Sequence, residues 1–240
     1  HPAVMVFAGF EAAGYVLDLL PPTLPVVKVS FDYPYDPPRR AGGVIEAMGY
    51  LPQARDAIQM TLEAIGILHR KLAAMPEIDA ERITIAGVSL GAPFATIAAQ
   101  RYDIPGVAII HGFGEVPVVI RNIMHRRLER NMGRWAMPVS RLLTSIAVWY
   151  GRVPTPEDYA RRYSVNHRVL VIDASEDHLV PDSARQALHD ALGASQARIS
   201  TSVTPGGHVD EGQDELIADI LQRMADWLQE EGMFTTAMQT

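Results

Sequence analysis

The chain has 240 residues, enough for one sizeable core, and 48% of them are hydrophobic against 20% charged, the balance of an ordinary globular enzyme. A net charge of −7 argues against a nucleic-acid partner. The absence of cysteine excludes a disulfide scaffold, thiolate catalysis and cysteine-ligated metal centres, and no apolar run is as long as a membrane-spanning helix. The expectation is one soluble domain over 1–240; a cysteine-free chain leaves the compartment open, with the cytoplasm slightly favoured. The chain opens on His1-Pro2 rather than methionine, so a preceding segment is expected to have been removed or left out.

Ala3 to Phe7 is a continuous apolar run ending in Ala8-Gly9-Phe10, the pattern of a buried parallel strand entering a tight loop. Pro25 to Phe31 reads as a second strand, closed by a proline-rich stretch and Gly42-Gly43. From about Pro52 to Met75, Ala54, Ile58, Leu62, Ile65 and Leu72 recur on one helical face, and Pro52 suits a first turn. A third strand over Arg82 to Ala86 leads into Gly87-Val88-Ser89-Leu90-Gly91, and a helix-forming stretch from Pro93 follows. Pro105-Gly106 introduces a fourth strand, Val107 to Ile110.

From Gly112 to about Ser164 the alternation stops. Helix-like segments at about Val118 to Met132 and Val139 to Tyr150 take the place of a strand, and a third opens at Pro156. Strands return at Arg168 to Ala174 and Arg198 to Val203, with a helix from about Ser183 between them. A last helix, about Asp214 to Gln229, turns Leu216, Ile220, Met224 and Leu228 inward. Strands alternating with helices predict a mostly parallel sheet of about six strands, covered on both faces.

A strand, a sharp turn at Gly-x-Ser-x-Gly and a helix form the context in which a serine becomes a nucleophile. A serine hydroxyl is too weak an acid to attack at neutral pH unaided. It needs a base in hydrogen-bond reach and a third group to orient that base. Parallel α/β sheets gather reactive groups at the carboxyl ends of their strands. There the chain offers Glu176 and Asp177 after the fifth strand and His208 after the sixth. Asp173 lies within its strand and reads as structural. His69 and His189 sit in helical patterns, His125 lies in the inserted segment, and His178 directly follows the acid. His111-Gly112-Phe113-Gly114 imitates an oxyanion motif but follows the fourth strand; it reads as a decoy or a wall of the pocket.

On Gly-Val-Ser-Leu-Gly around Ser89, Asp177-His-Leu-Val-Pro, and Gly-Gly-His208, the sequence resembles the α/β-hydrolase family along nearly its whole length. The resemblance implies a serine hydrolase cleaving carboxylic esters through an acyl-enzyme, with Ser89, Asp177 and His208 as catalytic triad. Asp177 is favoured over Glu176 by its match to the family's position. The implied oxyanion donors are the backbone N–H groups of Leu90 and Phe10, with Glu11 as an alternative to Phe10. Two departures stand out: Ala8 replaces the histidine often found before that loop, and the two additional N-terminal strands of the family are absent. The order implied is the Pro25 strand, the Ala3 strand, then the other four in sequence.

The segment 112–164 falls at the family's cap position. Ile120, Ile123, Met124, Leu128 and Met132 recur at helical spacing between Arg121, Arg126, Arg127, Arg130 and Arg134. A helical lid shaping a pocket for an apolar acyl group is the expectation, with Trp135, Trp149 and Tyr150 as candidate lining and lipid contact as a lesser role. The partner is a small-molecule ester; no metal and no organic cofactor is called for. Thioester, amide and haloperoxidase chemistry on the same three residues, and a non-catalytic binding protein, are the rival readings.

Overall fold

The strands β1 (Ala3–Phe7), β2 (Val27–Val29), β3 (Ile83–Val88), β4 (Gly106–Ile110), β5 (Arg168–Ala174) and β6 (Arg198–Thr204) form one parallel sheet in the order β2-β1-β3-β4-β5-β6. That is the order expected from the sequence. The computed structural model describes residues 1–9, 17, 24–34, 49–151, 153–210 and 212–234, with the side chains of 130 and 131 excepted. Among the described residues seven α-helices accompany the sheet: α1 (Leu51–Ala73), α2 (Gly91–Tyr102), α3 (Val116–Met132), α4 (Ala136–Gly151), α5 (Pro156–Ala160), α6 (Asp182–Gly193) and α7 (Asp214–Glu230).

The strands are apolar throughout their centres because both faces of the sheet are covered. Met5, Ile85, Ile109 and Val171 point to one side, where Leu62, Ile65, Ala95, Ala98, Leu188 and Leu192 from α1, α2 and α6 meet them. Val6, Ala86, Ala108, Leu170 and Ile172 point to the other, against Ile220, Met224, Trp227 and Leu228 of α7. Those four α7 residues share one helical stripe. Burying a side chain of this size stabilises the fold by about 1.5–3 kcal/mol. Trp227 belongs to this stripe and Leu216 is only partly buried against it, a shift of emphasis from the sequence pattern.

The second strand is shorter than the sequence suggests. Only Val27–Val29 pairs with β1, all three residues half-buried at the sheet edge. Val26 N–H bonds back to Leu24 carbonyl, which starts the strand late. At its other end the Ser30 hydroxyl, in place of a backbone amide, donates to Val6 carbonyl at 2.7 Å.

Between β4 and β5, α3 and α4 pack against each other, and α4 also lies against α1. Trp135 and Trp149 are 61% and 80% exposed, so the structure corrects the expectation that they line a pocket. Helical spacing gives their face but not what covers it. The Tyr150 ring has the Arg55 guanidinium 5.9 Å above it. No helix among the described residues is long and apolar enough to cross a membrane.

Candidate functional site

Ser89 stands between the end of β3 and the start of α2, with φ at +51°. A left-handed backbone at a non-glycine residue is a strained turn, tolerated where the surroundings enforce it. Two glycines make the turn possible. A Cβ on Gly87 would stand 2.5 Å from the Gly91 carbonyl oxygen and 2.7 Å from Ala92 Cα. A Cβ on Gly91 would land on the carbonyl of Phe7 in β1. The second glycine therefore serves the neighbouring strand rather than the serine's own. Ser89 N–H donates to Ile110 carbonyl at 2.9 Å, which ties the turn to the end of β4.

The structure brings the three expected side chains into one line. Ser89 Oγ lies 2.6 Å from His208 Nε2, and His208 Nδ1 lies 2.6 Å from Asp177 Oδ2. The other oxygen of Asp177 accepts the backbone N–H groups of Leu179 at 2.8 Å and Val180 at 2.9 Å. Burial opposes ionisation of Asp177, yet the bonds from His208, Val180 and Leu179 outweigh it and hold the carboxyl below its usual range. An ionised carboxylate only accepts, so His208 carries its proton on Nδ1 and presents a bare Nε2 to the serine hydroxyl.

The acid loop is held from the inserted helices. Asn122 of α3 donates to Leu179 carbonyl at 2.9 Å, and Arg126 donates to His178 carbonyl. Val180 packs with Phe113, Val119 and Ile123 in a small cluster of its own. Glu176 is exposed and takes part only through its amide, which donates to Gly206 carbonyl at 2.8 Å. Asp173 pairs with His189 at 2.7 Å on α6, a structural role as its place within the strand suggests. That bond, against the opposing effect of burial, raises the His189 pKa above its ordinary value.

Leu90 is the first residue after the serine, at the N-terminus of α2, where backbone amides lack intrahelical acceptors. Phe10 and its alternative Glu11 lie outside the described residues.

His111, which the sequence reading sets aside as a decoy or a wall of the pocket, stands beside His208. It is 1% exposed, its ring centroid lies 5.6 Å from that of His208, and its backbone φ is +47°. Nδ1 accepts Val209 N–H at 2.9 Å, and Nε2 lies 3.0 Å from Thr204 Oγ1. Burial lowers its pKa to about 4, with His208 adding to the effect. The only signal in the sequence was a histidine at a strand end; its partner is a main-chain amide 98 residues away, which no side-chain identity announces.

His111, Asp177 and His208 have donor atoms within 4.8 Å of one another, a spacing that could hold a cation. Each of those atoms already has a protein partner, and a metal ion would have to displace the Val209, Thr204, Ser89 or Asp177 bonds. The donor set fits a hydrogen-bond relay better than a metal centre.

Neither a protein-family model nor a curated protein matches the chain by sequence. Solved structures do match in shape. An acetyl xylan esterase from Paenibacillus sp. R4 superimposes with a TM-score of 0.60 at 18% identity, covering 94% of this chain and 74% of its own. A carboxylesterase from Lactobacillus plantarum gives 0.57 at 15% identity over 98% of this chain and 88% of its own. A meta-cleavage product hydrolase from Pseudomonas fluorescens gives 0.53 at 15% identity over 97% and 92%. With the strand order and the serine turn, these likenesses define the class: the chain has the α/β-hydrolase fold.

Proposed function

We propose that the protein is a serine hydrolase that cleaves carboxylic esters of small molecules. The observation that carries this reading is the continuous bond line from Ser89 Oγ through His208 to Asp177, with 2.6 Å at each link. Ser89 attacks the ester carbonyl carbon while His208 Nε2 takes its proton. The oxyanion is met by the N–H group of Leu90 at the start of α2. The carbon–oxygen bond to the alcohol breaks, and His208 Nε2–H returns the proton to the leaving oxygen. Water then attacks the acyl-serine with His208 again as base, releasing the acid and restoring Ser89. Asp177 stays ionised throughout, keeping the His208 proton on Nδ1 and stabilising the imidazolium.

The inserted helices act as a cap over the space for an apolar acyl group. In support, α3 already touches the acid loop through Asn122 and Arg126. Oxygen esters are favoured over amides and thioesters because acetyl xylan esterases and a carboxylesterase are among the structural neighbours.

A fluorophosphonate probe with mass spectrometry, alongside p-nitrophenyl esters of increasing chain length, tests the proposal. Labelling at Ser89 and ester turnover are expected, both abolished by Ser89→Ala. Labelling without ester turnover would move the reading to amides or thioesters, and an active Ser89→Ala protein would refute it.

A further inference from the structure

The His208 loop leaves β6 through Gly206, with φ at +88°, and Gly207. Ahead of the base it is tied by Glu176 N–H to Gly206 carbonyl at 2.8 Å and by Gly206 N–H to Ser175 Oγ at 3.0 Å. At the end of β4 two further bonds relate the serine to the residue that follows the base. Ile110 carbonyl accepts Ser89 N–H at 2.9 Å, and the next residue, His111, accepts Val209 N–H at 2.9 Å. Nucleophile and base thus hang from adjacent residues of one central strand.

The tautomer of His111 follows from its partners. Val209 N–H can only donate, so Nδ1 is bare. The single hydroxyl hydrogen of Thr204 goes to Asp173 carbonyl at 3.2 Å, so Thr204 Oγ1 accepts from His111 Nε2–H. His111 N–H is itself fixed to Ile172 carbonyl at 2.7 Å. The ring is neutral, buried and bonded at both nitrogens.

We propose that His111 is a positioning residue for the catalytic base: as a neutral Nε2–H imidazole it anchors Val209 and Thr204 to β4 and so sets the approach of His208 Nε2 to Ser89 Oγ. The inference rests on the serine-hydrolase reading. A displacement of the base of about 1 Å lowers turnover on the order of 100-fold.

The two nitrogens can be separated by substitution. In His111→Asn the amide oxygen can take the place of Nδ1 and keep Val209, and asparagine tolerates positive φ. In His111→Gln the amide nitrogen can reach the place of Nε2 and keep Thr204, but Val209 is released; His111→Phe fills the space and keeps neither bond. Thr204→Val removes the His111 Nε2–H bond together with the hydroxyl's bond to Asp173 carbonyl, and leaves Val209 in place. Fluorophosphonate titration counts intact sites, so kcat is expressed per labelled Ser89.

His111→Gln and His111→Phe are expected to lose on the order of 100-fold in kcat per site with KM little changed, and to shift the acidic limb of the kcat/KM pH profile. His111→Asn and Thr204→Val are expected to be at least about tenfold faster than His111→Gln. A purely structural role would lower the number of sites and the melting temperature but leave kcat per site and the pH limb as in the wild type, and that result overturns the proposal. Equal losses in the Asn and Gln variants would overturn the assignment to Val209. Failure to label wild-type Ser89 would instead sink the hydrolase reading itself.

Discussion

Replacing Asp177 with asparagine exchanges one heavy atom and should nearly silence the enzyme. Oδ1 accepts two backbone N–H groups, from Leu179 and Val180, and Oδ2 accepts His208 Nδ1–H. In Asp177→Asn the amide must choose an orientation. An NH2 aimed at two amide donors 2.8 and 2.9 Å away would leave both unsatisfied, at about 1–3 kcal/mol each. The oxygen therefore stays with the amides and the NH2 faces His208. A donor there forces Nδ1 to accept, so the imidazole proton moves to Nε2, the atom that must receive the Ser89 proton. The base is then present, in place and in the wrong tautomer. For a triad of this geometry such a substitution lowers kcat about 10⁴-fold, which is about 5.4 kcal/mol of barrier. Initial rates on p-nitrophenyl acetate near neutral pH measure it, with circular dichroism to verify the fold. A folded Asp177→Asn protein within tenfold of wild-type kcat, by the same scale of about 1.4 kcal/mol, would refute the tautomer argument.

Two further outcomes are expected. Gly91→Ala drives a methyl group onto the Phe7 carbonyl in β1, and overpacking of this kind costs about 1–3 kcal/mol; a lowered melting temperature together with lost ester turnover checks it. His189 has its pKa raised by Asp173, so its share of stability is complete below the unfolded value of about 6.5 and is lost as pH rises through the folded value. Melting temperatures recorded from about pH 6 to about pH 9 should fall more steeply for the wild type than for His189→Gln.

Most of the sheet was legible because a parallel strand covered on both faces is a run of apolar residues, and Ala3 to Phe7 or Val107 to Ile110 leave little other reading. The edges were less so. Val27–Val29 pairs over three residues because a side chain, Ser30, caps the ladder where the sequence continues to look strand-like. Ser89 and His208 could be chosen by residue type and by position after a strand, and Asp177 over Glu176 only by its match to the α/β-hydrolase pattern. His111 could not, since its value lies in two bonds made to groups that every residue or many residues carry. Gly91 was legible as part of the Gly-x-Ser-x-Gly pattern, but the strand it spares was not: the crowding comes from Phe7, brought alongside by a crossover from a distant part of the chain. Trp135 and Trp149 failed for the opposite reason, because periodicity describes a face and says nothing of its neighbour.

The polar strand β6 closes one side of the sheet, and among its residues only Thr204 is fully buried. It is nevertheless paired with β5 over seven residues, the longest register in the sheet. His208 follows from that strand, whereas Ser89 follows from β3, flanked by β1 and β4. Nucleophile and base therefore meet across the two intervening strands β4 and β5. The reach of the base to the serine is a property of half the sheet and its twist, not of one turn.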